Sequence, residues 1–387
     1  MTTSTTFGSD TTAWAATWGQ ALPDVRSDSE TFTDVSLRST LRVGIGGEQV
    51  RLEFSNEYGD QPLVIGHAAV TTNGRTAFAR FDGADGVTIP VGEAAFTDAI
   101  DLDVPDHAVV NVDFHLPERT AFPPLYGSCS EFTCDMSERG DHVGATDFPA
   151  VTAPPFPMPD DAQISVHESG PFLRSVDVAS ATPRAVVVCL GDSITAMGWP
   201  EAAASLLPAD SSISIVNRGI PGNRLRLDAG TTNLSNGRAG LNRFPVDVLG
   251  TSGIAYVIVA LGTNDLGLPG EFEPLDELPT AAELIAGYDA ILNGAVAAGI
   301  GASVATIGPR NGSDNYDDER EQIRTAVNDW IRGLGANCID FDASLRNPAS
   351  PLELENRYDS GDHLHPSDAG QAQLGRTAIS ALQQMLL

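Results

Sequence analysis

Ser193 stands at the end of an apolar run, Ala185-Val-Val-Val-Cys-Leu190-Gly-Asp-Ser193, and the C-terminal half of the chain holds only two histidines, His363 and His365. A serine hydroxyl becomes a nucleophile when a base lies within hydrogen-bond reach and a third group orients that base. Asp362 precedes His365 by three residues, so one turn of loop lets its carboxylate reach Nδ1 and leaves Nε2 facing Ser193. His363 is the direct neighbour of Asp362 and would point the other way, which favours His365 as base. The trio Ser193, His365 and Asp362 suits acyl transfer, and an acyl transfer needs donors aimed in advance at the developing oxyanion. Three are available. The Ser193 N–H is free where a strand turns into a helix, Gly222 allows close backbone approach, and Asn264 offers a side-chain amide.

These residues come after successive apolar runs. After the first comes Gly191-Asp-Ser-Ile-Thr195, after the second Asn217-Arg-Gly-Ile-Pro-Gly222-Asn-Arg, and after the third Gly262-Thr-Asn264-Asp265. Beyond the last comes Asp362-His-Leu-His365-Pro. Each segment alone has an ordinary structural use as a capping turn, an Asx turn or a helix cap. Their order matters more, because an open parallel sheet binds ligands outside the carboxyl ends of its strands.

The elements that must position them read clearly. Runs at Ala185–Leu190, Ile213–Val216, Ile254–Leu261, Ser303–Ile307 and Cys338–Phe341 suit buried parallel strands. Between them, Leu284, Ile285, Tyr288, Ile291, Leu292 and Val296 repeat at helical spacing, as do Ile323, Val327, Trp330, Ile331 and Leu334. A final helix is expected from about Ser367 to Leu386. Alternating strands and helices predict a doubly wound α/β sheet over residues 181–387. Residues 1–180 read differently. Val50–Phe54 and Val110–Leu116 alternate apolar and polar, and short segments at Thr40–Val43, Leu63–Val70, Val87–Val91 and Ala99–Val104 are parted by Gly, Pro, Asn and Asp. That pattern predicts an all-β sandwich of jelly-roll kind. A Pro-rich passage, Thr152–Pro159, reads as a surface loop. Trp14 and Trp18 read as packing residues of an edge strand, with sugar stacking as the alternative.

The blocks Gly191-Asp-Ser-Ile, Gly222, Gly262-x-Asn264-Asp265 and Asp362-x-x-His365-Pro together resemble the four signatures of the SGNH/GDSL hydrolase superfamily. The resemblance implies a three-layer α/β/α, flavodoxin-like fold and ester hydrolysis by Ser193, His365 and Asp362, with Ser193, Gly222 and Asn264 forming the oxyanion hole. Phe244-Pro-Val-Asp-Val-Leu, Val327-Asn-Asp-Trp-Ile-Arg and Tyr358-Asp-Ser-Gly-Asp-His-Leu-His-Pro resemble bacterial and fungal GDSL-like lipases/acylhydrolases that carry an N-terminal β domain. Leu41-Arg-Val43, Arg51–Gly59 and Val87–Gly92 are similar to that domain. The chain departs from the family after the nucleophile block. Where relatives read Thr-Asp-Gly and a longer loop, it has Thr195-Ala-Met-Gly198-Trp-Pro.

Composition narrows the partners. The chain has 387 residues, with 52 acidic against 22 basic side chains, the latter all arginine, for a net charge of -30. Such a field repels phosphate backbones and anionic lipid, so nucleic-acid and membrane-surface partners are not expected. No run approaches the ~20 apolar residues of a membrane-spanning helix. Neither Cys-x-x-Cys nor His-Glu-x-x-His occurs, and the chemistry calls for no metal or organic cofactor. Cys189 and Cys338 read as core thiols. Cys129 and Cys134 fall in a Gly/Ser-containing loop and would make a local disulfide in an exported protein. The N-terminal segment lacks a basic start and an apolar run, which points to the cytoplasm, whereas the Cys pair and the habit of the relatives point to export with the signal removed.

The expected substrate is a small-molecule or glycan ester with a short acyl group, since Gly-x-Ser-x-Gly and an apolar lid segment are both missing. The alternatives are a lipase for longer chains, a carbohydrate-binding protein with an inactive hydrolase half, and a glycosidase using paired carboxylates. The oligomeric state is left open.

Overall fold

The computed structural model describes residues 13–25, 31–122, 132–151, 170–181, 184–230 and 233–386. In the C-terminal region five parallel strands form one sheet: Ala185–Gly191, Ile213–Gly219, Ile254–Ala260, Gly301–Ala305 and Cys338–Ile339. Numbered along the chain, their spatial order is 2-1-3-4-5, the flavodoxin-like arrangement. The order reverses between the first and third strands, the switch point outside whose carboxyl ends an open α/β sheet forms its ligand crevice. Gly191 is level with Gly219 on one side and Ala260 on the other, so the three loops beyond them start from one line.

Each face of the sheet is covered because successive residues of the strands point to opposite sides. Val186, Val188 and Leu190 share a core with Leu284, Tyr288, Ile291, Val327 and Ile331. Val187 and Cys189 pack instead with Trp199, Ala203, Leu374, Ala378 and Leu382. The first group of partners lies on helices Ala281–Ala298 and Asp318–Gly333, and the second on Trp199–Ala204 and Asp368–Leu386. The three-layer α/β/α fold therefore results from the apolar runs. The fifth strand is shorter than its apolar run, because the Asp340 carboxylate accepts from the Ala343 N–H and caps a helix that begins at Phe341.

The N-terminal region is antiparallel. One sheet has the order Ala13–Gly19, Leu173–Ser180, Gln49–Ser55, Ala94–Phe96. The other runs Ala150–Val151, Phe132–Arg139, Val35–Arg42, Val109–Leu116, His67–Thr72, Arg75–Phe78. Leu37, Leu41, Val50, Leu52, Phe54, Val112 and Phe114 are all buried in the core. Ala99–Val104 is not a strand. It touches the sheet only through bridges at Ile100 and Val104, since Leu102 N–H donates back to Ile100 O and kinks the segment. Trp18 stacks on Phe132, and the Trp14 ring carries the Arg51 guanidinium at 4.5 Å.

Cys134 is not in a loop but on the strand Phe132–Arg139, where alternation turns it inward with Phe132 and Met136. It is a free thiol; burial, only partly offset by the Ser39 hydroxyl, pushes it up to about 12. Cys129 and the Pro-rich passage 152–159 lie outside the described residues.

The two regions share buried polar contacts. Ala16 N–H donates to Ser252 O at 2.9 Å, and the Arg218 guanidinium donates to the carbonyls of Gln20 and Arg174. Arg218 is 1% exposed and is the penultimate residue of the second parallel strand.

Candidate functional site

Ser193 opens the short helix Ser193–Ala196 directly after the first parallel strand. Asp192 caps it by accepting from the Ile194 N–H at 3.0 Å. At the first position of the helix, the Ser193 N–H has no intrahelical acceptor and is available to a ligand. Gly191 must lack a side chain, because a Cβ there would fall 1.9 Å from Thr195 Oγ1.

Across the crevice, the Ser193 hydroxyl lies 2.8 Å from His365 Nε2. His365 Nδ1 lies 2.6 Å from Asp362 Oδ2. The other carboxylate oxygen accepts from the Ser360 hydroxyl and from the N–H groups of Leu364 and His365 at 2.8–3.0 Å. Desolvation pulls the Asp362 carboxyl upward, but the hydrogen bonds from the His365 ring and from the N–H groups of His365 and Leu364 outweigh it and the group is held at about 2. An ionised carboxylate only accepts, so Nδ1 carries the proton of the neutral ring and Nε2 is left to accept from Ser193.

His363 does point away. Its Nδ1 pairs with Asp359 Oδ2 at 2.6 Å, giving a second, exposed His–Asp couple. The backbone is left-handed at His363, with φ of 62°. Sequence reasoning misses the partner Asp359, although it stands four residues before His363.

Gly222 occupies the turn after the second strand with φ of 77°, a conformation in which a side chain is strained. The Asn264 amide belongs to the helix Thr263–Gly267 after the third strand and donates one proton to Asn223 O at 3.0 Å. Its second amide proton remains for a ligand. Asp265 accepts from Leu225 N–H at 2.7 Å and Arg226 N–H at 3.2 Å, tying the third-strand segment to the Gly222 loop. Burial raises its carboxyl above the ordinary range.

The structure thus brings Ser193, His365 and Asp362 into one hydrogen-bonded line, with Gly222 on the turn after the second strand and Asn264 on the short helix after the third. Asn223, Arg243 and Asp265 also belong to this frame, as buried groups that hold the loops rather than face the crevice. Asp192 is 1% exposed; burial, reinforced by Asp265 and partly offset by the Ile194 N–H and by His365, raises its carboxyl to about 7. A cavity of about 30 Å³ is bordered by Ile194 and Leu364, the neighbours of Ser193 and His365, together with Leu261, Ile307 and Pro366. Among the described residues, no group of three or more His, Cys, Asp or Glu side chains is arranged to hold a metal ion. Nor, among them, is any helix long and apolar enough to cross a membrane.

Residues 189–373 match the GDSL-like lipase/acylhydrolase family. No curated protein matches the chain. Similar solved structures include one described as a lipolytic protein of the G-D-S-L family from Desulfitobacterium hafniense DCB-2, at 21% identity, covering 51% of this chain and 98% of that one, with a TM-score of 0.37. A GDSL-like lipase from Bacteroides thetaiotaomicron VPI-5482 has 18% identity, with 52% and 89% covered and a TM-score of 0.38. A carbohydrate acetylesterase family member from Sinorhizobium meliloti has 17% identity, with 52% and 98% covered and a TM-score of 0.40. The segment 189–373, which carries the parallel sheet, belongs to the SGNH/GDSL superfamily of acylhydrolases.

Proposed function

We propose that this protein is a serine esterase that removes short acyl groups, acetyl foremost, from small-molecule or glycan esters. The observation that carries the reading is the continuous line from Ser193 Oγ through His365 to Asp362 at the crevice. His365 Nε2 takes the Ser193 proton as Oγ attacks the ester carbonyl. The oxyanion is held by the N–H groups of Ser193 and Gly222 and by the free amide proton of Asn264. As the intermediate collapses, the imidazolium returns the proton to the leaving alcohol and an acyl-enzyme remains. Water, deprotonated by His365, then attacks that ester and frees the acid and Ser193. Asp362 stays ionised throughout and stabilises the imidazolium. No metal or organic cofactor enters these steps.

The short acyl preference is supported by the sequence around the nucleophile, which carries no Gly-x-Ser-x-Gly elbow and no long apolar lid segment near Ser193. In this reading residues 181–387 form the catalytic domain, and residues 1–180 form a β domain packed against it.

The test is hydrolysis of p-nitrophenyl acetate, butyrate and octanoate by the wild type and Ser193→Ala. Rates that fall with chain length and vanish in the variant are expected. Equal rates in both proteins would remove Ser193 from the chemistry, and a preference for octanoate would replace the short-acyl reading with a lipase.

A further inference from the structure

We propose that Arg243 is the positioning residue of the oxyanion pocket, its one guanidinium fixing the main-chain frames that carry all three donors. The inference rests on the esterase reading above. Arg243 ends the short helix Gly240–Arg243, just before a π-helical turn at Phe244–Leu249, and is 0% exposed. Nη2 donates to Gly191 O at 2.7 Å, Nη1 to Arg218 O at 2.7 Å and to Asp247 Oδ2 at 2.8 Å, and Nε to Asn223 Oδ1 at 3.0 Å.

The acceptors are the significant part. Gly191 O lies two residues before the Ser193 N–H and also accepts from Ile220 N–H, so the first two loops share that carbonyl. Asn223 comes directly after Gly222, and its own carbonyl receives the Asn264 amide. The Asn223 amide in turn donates to Asn236 O and Arg238 O at 2.7 Å, which closes the Gly222 loop on itself. Each donor is therefore one or two bonded steps from Arg243.

A buried ion pair such as Arg243–Asp247 is weak evidence for a stabilising role, since apolar residues of equal volume often do as well. What hydrocarbon cannot supply is a flat fork of five N–H groups that reaches several acceptors at once. Lysine keeps the charge and loses the fork.

Three variants test this: Arg243→Lys; the pair Arg243→Met with Asp247→Leu, which leaves no orphaned charge; and Asn223→Ser, which cuts one link and keeps the ion pair. For each folded variant, kcat and KM for p-nitrophenyl acetate are measured, together with inhibition by phenylboronic acid. That boronate forms a tetrahedral serine adduct resembling the intermediate. Positioning predicts a kcat lower by on the order of 10²-fold, a KM within about threefold, and boronate affinity weakened in step with kcat. Wild-type kcat and boronate affinity in a folded variant would overturn the proposal. So would the failure of all three variants to fold, which would make the role purely structural. An inactive wild type would instead sink the esterase reading, and the two failures are told apart by assaying the wild type first.

Discussion

The Ser193 hydroxyl and His365 Nε2 meet at 2.8 Å although 172 residues separate them in the chain. In the proposed mechanism the pair acts as a unit, so its members should not contribute additively. Ser193→Ala and His365→Ala are each expected to lower kcat by at least about 10⁴-fold, and the double variant should be no worse than the poorer single one. Steady-state hydrolysis of p-nitrophenyl acetate by the three variants measures this. Independent, multiplying losses would mean that the two residues do not share one proton transfer.

Asn264 spends one amide proton on Asn223 O and keeps the other. If that second proton meets the oxyanion, its contribution exists only when charge has developed on the substrate oxygen. Asn264→Ala should therefore reduce kcat by roughly 10²–10³-fold while KM moves little. A rise in KM at constant kcat would place Asn264 in ground-state binding instead.

Much of this site is legible in the sequence because the fold converts chain order into proximity. Val186 to Leu190 can only be a strand buried on both faces, and the residues just beyond such a strand in a parallel sheet must reach the ligand edge. Ser193, Gly222 and Asn264 are legible in that way, and His365 is legible instead as one of two histidines in the C-terminal half, with Asp362 three residues before it. Arg243 is not. Two of its four acceptors are main-chain carbonyls, Gly191 O and Arg218 O, at the ends of the first two parallel strands, and no spacing in the sequence marks a carbonyl as waiting for a partner. Cys134 differs: Gly and Ser upstream suggest a loop, although its alternation with Phe132 and Met136 signals the inward face of a strand. The overestimate at Ala99–Val104 has another cause, since apolar alternation cannot reveal the backbone bond from Leu102 to Ile100 that ends the pairing.

Gly222 is constrained twice, by its φ of 77° and by Asn236, whose Oδ1 would lie 2.3 Å from a Cβ at that position. Gly222→Ala is expected to cost about 1–3 kcal/mol of stability through strain and to lower kcat by displacing the donor. Adding Asn236→Ala removes the clash but leaves φ unfavourable, so urea unfolding should show partial recovery. Full recovery would mean that φ contributes nothing, and no recovery that Asn236 does not matter.

Asp192 supplies the pH test. Its carboxyl is raised to about 7 by burial, with Asp265 adding to the effect, whereas in the unfolded chain it titrates near 3.8. Between those values the folded protein binds more protons at this residue than the unfolded one does. Its contribution to stability therefore falls as pH rises through the window and levels off above it. Asparagine mimics the protonated form, can still accept from the Ile194 N–H, and does not ionise. Asp192→Asn should therefore match the wild type near pH 4 and be more stable at pH 8, by roughly 2–4 kcal/mol for a shift of about three units. Urea unfolding of both proteins at several pH values isolates this group, because the many other carboxylates cancel in the difference. A gap that stays constant from pH 4 to 8 would mean that Asp192 is already ionised in the folded protein, with its charge held by the helix N-terminus and His365.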